Sequence, residues 1–198
     1  MDRWDPASPH DAARWFARVC APWWIAGGWA IDTFLDRETR AHKDLDVGVL
    51  RRDIGGVLDA LPDFEIFEAK DGELTYLSGT APRRDVNSLW CRVRGARQWT
   101  LEIMLDESRD GCWVYRRDPA IRRDLASVIR RSSIGIPYLA PEVQLLYKAK
   151  HARPEDERDF EAVAPRLTED TRHWLRQSLL DTLPSHPWIG VLDGYRAV

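Results

Sequence analysis

Asp44-Leu45-Asp46-Val47 sets two carboxylates at the mouth of an alternating apolar run, with Arg40, His42 and Lys43 just before it. On a strand, side chains two apart project to one face, roughly 6–7 Å apart along the backbone. Mg²⁺ takes oxygen ligands, typically one or two carboxylates completed by phosphate oxygens and water. A third carboxylate from a neighbouring strand would let the pair hold two metals for in-line displacement at phosphorus. Glu102 is the candidate, since it interrupts an apolar stretch on the face opposite Leu101 and Ile103. Asp106 and Glu107 are rivals at the end of that strand, where loop or substrate contacts are the better reading.

Upstream, Ile25-Ala26-Gly27-Gly28-Trp29-Ala30-Ile31-Asp32 puts a Gly-Gly turn at a strand-to-helix junction. Glycine allows the backbone to approach a ligand closely, and a helix N-terminus offers N–H groups and a positive dipole end to phosphate. No Gly-Lys-Ser/Thr follows, so this is not a P-loop, and G-x-G-x-x-G is missing. Arg40, His42 and Lys43 can meet a triphosphate, although a single His beside a strand is first a hydrogen-bonded structural group. Lys148, four residues after Gln144 on one helix face, can neutralise phosphate charge or stand solvated.

These residues need elements to hold them. Ser8-Pro9-His10-Asp11 starts a helix that Pro22 ends, residues 23–26 form a short strand, and 29–35 a helix. Residues 44–50 alternate as a strand, with Leu45, Val47 and Val49 on the core side. Asp53 caps a helix through Leu61. Strands follow over 64–69 and 74–77 about the turn Asp71-Gly72, then over 88–93 and 99–105 about Gly95. After Pro137 only helices remain, starting at Pro141, Pro154 and Thr168. The expected division is therefore a core over 1–138 and a helical segment over 139–198.

Composition narrows the class. The 198 residues suit one domain with a helical extension. A formal net charge of −3 argues against a general polyanion binder, so nucleic acid is not the expected partner. The six arginines between Arg116 and Arg131 are interrupted by Asp118 and Asp124, which reads as a solvated face. Cys20, Cys91 and Cys112 are odd in number and lack C-x-x-C spacing, which points to a reducing cytoplasm without disulfide or zinc. No secretory h-region opens the chain, and no apolar run is long enough to span a bilayer. Most of the ten Trp should be core or pocket wall.

Gly27-Gly28-Trp29-Ala30-Ile31-Asp32, followed by Thr39-Arg40-x-His42-x-Asp44-x-Asp46, resembles the aminoglycoside 2''-adenylyltransferase-like family. This family lies within the polymerase-β-like nucleotidyltransferase superfamily, with lincosamide nucleotidyltransferases as near relatives. The resemblance continues through Pro137-Tyr138-Leu139-Ala140-Pro141-Glu142-Val143, Leu145-Leu146-Tyr147-Lys148-Ala149-Lys150, Asp159-Phe160 and His186-Pro187-Trp188. It implies an α+β fold: a mixed twisted sheet flanked by helices, with a C-terminal helical part closing a cleft. It also implies Mg²⁺-dependent transfer of a nucleoside monophosphate, AMP above all, from ATP or another triphosphate to a hydroxyl, releasing pyrophosphate. Asp44 and Asp46 match the metal-holding pair, Glu102 matches the third acid, and Gly27 and Gly28 match the phosphate cradle. Where relatives commonly carry Asp, Glu102 is one methylene longer. The implied acceptor is a small molecule, an aminoglycoside or lincosamide antibiotic among the candidates. A toxin-like enzyme acting on tRNA or protein, and a non-catalytic nucleotide-binding relative, are the alternatives.

Overall fold

The computed structural model describes residues 3–5, 7–79 and 81–195; Met1 and Asp2 of the N-terminal opening lie outside the described residues. Helix α1 (Pro9–Trp15) begins with a capping box, in which Ser8 Oγ accepts from the Asp11 N–H and Asp11 accepts from the Ser8 N–H. It ends at Trp15 and tightens into a 3₁₀ turn through Arg18, well before Pro22. Strand β1 (Trp23–Ile25) leads directly into α2 (Gly27–Leu35), so the Gly-Gly pair opens the helix itself. Gly27 has φ +63°, a backbone state that residues with a side chain rarely adopt.

Strand β2 (Asp46–Leu50) starts two residues later than the alternation suggests, leaving Asp44 in the preceding loop. A 3₁₀ turn then leads to α3 (Ile54–Asp59), and Asp53 stands at its N-cap without a side-chain bond. Strands β3 (Phe64–Lys70) and β4 (Glu73–Tyr76) flank the expected turn, with φ 52° at Asp71 and 80° at Gly72. Strands β5 (Ser88–Val93) and β6 (Leu101–Arg109) form the second hairpin. The arginine-rich stretch is largely ordered as β7 (Cys112–Val114), β8 (Arg122–Asp124), a short α4 (Leu125–Val128) and β9 (Ile129–Arg131). Strand β10 (Pro137–Leu139) is followed by α5 (Pro141–Ala149), α6 (Pro154–Val163), α7 (Glu169–Thr182) and α8 (Trp188–Gly194).

The strands make one mixed sheet in the order β4-β3-β5-β6-β2-β1-β10-β9, with β7 and β8 branching from the far half of β6. Two pairings are parallel, β2 with β6 and β1 with β10. The first matters most, because its register sets Asp46 beside Glu102, Gly48 beside Met104 and Leu50 beside Asp106. On the core face Val47, Val49, Leu101, Ile103 and Leu105 are fully buried. Each such side chain contributes about 1.5–3 kcal/mol by leaving water, and a one-residue slip would turn all of them outward. Hydrophobic burial therefore fixes which acids meet.

Helix α5 is buried along most of its length and packs on α2, α6 and α7. Its one deeply buried acid, Glu142, accepts from Arg123 Nη1 at 2.6 Å. At its other end the Tyr147 hydroxyl donates to Asp106 Oδ1 at 2.7 Å, while Trp113 Nε1 donates to Asp106 Oδ2 at 3.0 Å. Asp106 thus ties β6, β7 and α5 together and lies within its strand, rather than at its frayed end. Burial raises its carboxyl pKa, against the pull of these two donors. Beyond α6, Phe160 stacks on Trp188 with ring centroids 4.2 Å apart, seating α8.

Tyr147→Phe removes one donor from a buried carboxylate and keeps the ring. The expected cost is about 1.5–3 kcal/mol, the usual range for a hydrogen bond to a charged group. Urea unfolding monitored by circular dichroism measures it. An unchanged midpoint would show that Trp113 alone satisfies Asp106.

Candidate active site

A cleft of about 300 Å³ opens on the polar face of the sheet, bounded by the start of α2, the 40–46 loop, α5 and the start of α6. Its floor includes Trp24, Gly48 and Met104. Trp24 is paired with Gly48, and a Cβ on Gly48 would overlap the indole. The missing side chain is what lets a large ring lie flat across the strand.

Asp46 and Glu102 face each other across the β2–β6 rung, on strands about 4.8 Å apart. Asp44 reaches the same cleft from the loop. Burial raises the Asp46 carboxyl well above the ordinary range, and the negative charges of Glu102 and Asp44 push it further. Glu102 is raised too, by burial first, while a 2.6 Å hydrogen bond from Ser88 Oγ pulls against the shift. Negative charge is thus gathered where water is scarce, a cost that bound cation would offset.

Among the described residues, no three acid, His or Cys side chains close into a ready-made metal cage. The donor set nevertheless suits Mg²⁺, which is satisfied by one or two carboxylates and takes the rest from substrate phosphate and water. The Asp46 carboxylate also lies against the first residue of α2, filling the space a Gly27 Cβ would need. Any side chain at Gly27 would displace it.

The other expected contacts are distributed unevenly. The Gly27 N–H donates to Gln144 Oε1 at 2.8 Å, tying α2 to α5, so this amide is already engaged. Gly28 lines the cleft, and a Cβ there would lie 2.5 Å from Arg40 Nη2 and 2.6 Å from His42 Nδ1. Its role is to let those two side chains close over the helix start. His42 turns away from the cleft: its Nε2 meets Asp32 Oδ2 at 2.6 Å and its ring lies against Trp29. Thr39 Oγ1 donates to the other Asp32 oxygen at 2.5 Å. The structural reading of His42 is the one realised, and His42 braces the loop that presents Asp44.

Arg40 and Lys43 line the cleft, Arg40 lying 3.8 Å from Asp159. Lys148 also lines it, but it is not solvated: its Nζ is 2.6 Å from Asp156 and 2.8 Å from Asp159, all three side chains nearly inaccessible. Burial alone would raise the Asp156 carboxyl, but hydrogen bonds from Arg153 and Lys148 overcome that and hold it at about 2. Sequence reading quoted Asp159 only within the family resemblance and missed the pairing of Lys148 with both acids, because they lie on another helix. The Asp156 capping position after Pro154 was the available signal. Glu107, the other rival acid, pairs with Arg51 at 2.6 Å and is half exposed. Arg116 and Arg117 line the cleft as well, contrary to a purely solvated reading of the arginine-rich stretch.

The raised Asp46 pKa carries a sign for stability. A carboxyl whose folded pKa lies above its unfolded one holds its proton more tightly when folded. Metal-free stability therefore falls as pH rises from the unfolded value through the raised folded value. Asp46→Asn removes the charge and keeps the shape. It should raise the melting temperature of metal-free protein at pH 7 by a few degrees, at about 2–4 °C per kcal/mol for a chain of this size. A lowered melting temperature in calorimetry would mean that Asp46 is a stabilising carboxylate instead.

Comparison with known proteins gives this arrangement relatives. The model of the aminoglycoside-2''-adenylyltransferase family matches residues 11–163. The crystal structure of ANT(2")-Ia in complex with adenylyl-2"-tobramycin is similar at TM-score 0.56 and 16% identity, covering 85% of this chain and 93% of that one. The lincomycin-bound lincosamide antibiotic adenylyltransferase LnuA is similar at 0.54 and 16% identity, covering 78% and 92%. An antigenic nucleotidyltransferase-like protein from Paracoccidioides brasiliensis matches at 0.50 and 16%, covering 92% and 88%. No curated protein matches the sequence. At such identity the solved structures speak for the fold, a mixed sheet flanked by helices, while the family model spans most of the chain. The chain belongs to the aminoglycoside-2''-adenylyltransferase family, and is a nucleotidyltransferase.

Proposed function

We propose that the protein transfers AMP from ATP to a hydroxyl of a small antibiotic-like molecule, in a Mg²⁺-dependent reaction that releases pyrophosphate. The observation that carries this reading is the Asp46–Glu102 rung, two half-buried carboxylates side by side on parallel strands, with Asp46 lining a cleft walled by basic side chains. Asp44 and Asp46 would hold the metal, with Glu102 beside them. Bound there, Mg²⁺ would neutralise triphosphate charge and align the leaving pyrophosphate.

The chain's own residues supply the remainder. Arg40 and Lys43 stand at the mouth of the cleft to meet phosphate oxygens, and the start of α2 at Gly28 offers its positive dipole end. Lys148 contributes as part of a fixed ion cluster, held in place by Asp156 and Asp159. Glu102 is suited to accept the acceptor hydroxyl's proton, because its raised pKa makes it a stronger base than an ordinary carboxylate, and Ser88 orients it. Positioning and charge would then supply most of the rate enhancement. The three unpaired thiols suit a reducing cytoplasm. No described helix is long and apolar enough to cross a membrane.

Glu102→Gln should lower turnover by about 10²–10⁴-fold, the usual contribution of a positioned base, while leaving Mg²⁺·ATP binding largely intact. Pyrophosphate release and product mass, followed with aminoglycosides and lincosamides, supply the readout. Near-wild-type turnover in Glu102→Gln, with collapse in Asp106→Asn or Glu107→Gln, would reassign the base.

A further inference from the structure

The charges that line the cleft divide around α5. On one side Lys148 and Arg153 belong to the ion cluster of Asp156, and Arg40 joins it through Asp159. On the other, Arg116 lies half-buried over the face of the Tyr147 ring, its guanidinium carbon 5.7 Å from the centroid. Among the described residues Arg116 has neither a hydrogen-bond nor an ion-pair partner. Its charge nevertheless reaches Glu102, Asp106 and Tyr147, since it bears on the acidity of all three. Arg117 stands next to it, anchored to the Tyr147 carbonyl at 2.9 Å.

The acids on this cleft are otherwise spoken for. Asp106 accepts from Trp113 and Tyr147, Asp156 from Lys148 and Arg153, and Glu155 lies 3.3 Å from Arg153. Among the described acids at this site Asp44 and Asp46 remain, with Glu102 on the strand beside Asp46, and on the reading above these serve metal, phosphate and proton transfer. A polycationic amino sugar would find no spare carboxylate here and would meet an uncompensated arginine beside Glu102. An anionic group would find in Arg116 a planar donor fork, already oriented by a ring, that matches carboxylate or phosphate oxygens.

We infer that Arg116 is the specificity residue of the acceptor end, and that the hydroxyl compound it admits carries an anionic group and not several ammonium groups. This rests on the nucleotidyltransferase reading only for which end receives the acceptor. The experiment uses protein loaded with Mg²⁺ and a non-hydrolysable ATP analogue, with loading measured first. Glucose 6-phosphate and tobramycin are then titrated calorimetrically into wild type, Arg116→Gln and Arg116→Glu, with folding of each variant checked by circular dichroism.

Glucose 6-phosphate should bind wild type about tenfold or more tightly than Arg116→Gln, and tobramycin should gain about tenfold or more in Arg116→Glu, a change of about 1.4 kcal/mol per decade. Tobramycin binding to wild type as tightly as to Arg116→Glu would overturn the inference, as would failure of wild type to hold glucose 6-phosphate. Loss of the ATP analogue in Arg116→Gln would overturn it too, by assigning the arginine to the triphosphate. If wild type never loads nucleotide, the functional reading fails separately, and the same titrations on unloaded protein still decide the role of Arg116.

Discussion

Everything at this site follows from one electrostatically costly arrangement: Asp46 and Glu102 held side by side, half-buried, on a parallel strand pair. Like charges at such spacing repel, and burial strengthens the repulsion, because the medium around them screens poorly. Both carboxyls respond by holding their protons more tightly. What keeps them there is the opposite face of the same strands, where Val47, Val49, Ile103 and Leu105 leave water completely. Core burial thus holds in place a site that would relax if it were free to do so.

The surrounding helices meet the same problem with counter-charges. Lys148 is locked between Asp156 and Asp159, Arg123 covers Glu142, and Tyr147 with Trp113 satisfies Asp106. Each pair is buried, so breaking one partner costs far more than an exposed ion pair would. The result is a frame of paired charges around the cleft, in which among the described residues the carboxylates of the Asp46–Glu102 rung make no ion pair. Arg116 is the complementary case, a guanidinium with no hydrogen-bonded acid among the described residues.

Much of this was legible in sequence, for identifiable reasons. The period-two alternation after Asp44 placed Asp46 opposite the core, and Glu102 stood out as the one acid among Leu101, Ile103 and Leu105. Proline at the first helical position marked α5 and α6, and Thr168 capped α7 as its residue type suggests. What sequence hid was pairing across elements. Asp106 looked like a strand-end acid because its partner Trp113 lies on β7, in a stretch dominated by arginines. Lys148 looked like a solvated helix residue because its acids belong to the next helix. His42, expected at the nucleotide, instead meets Asp32 on α2, a partner that lies too far along the chain for local reasoning to supply.

The central claim is that the Asp46–Glu102 rung is built to exchange protons for a cation. Calorimetric titration of Mg²⁺ with a non-hydrolysable ATP analogue over a series of pH values, each in two buffers of different ionisation enthalpy, measures protons released on binding. Wild type should release protons. The Asp46→Asn, Glu102→Gln double variant should release fewer, the remainder coming from the nucleotide itself, and bind far more weakly. Equal affinity in the double variant, or equal proton release by wild type and double variant at every pH, would contradict the claim.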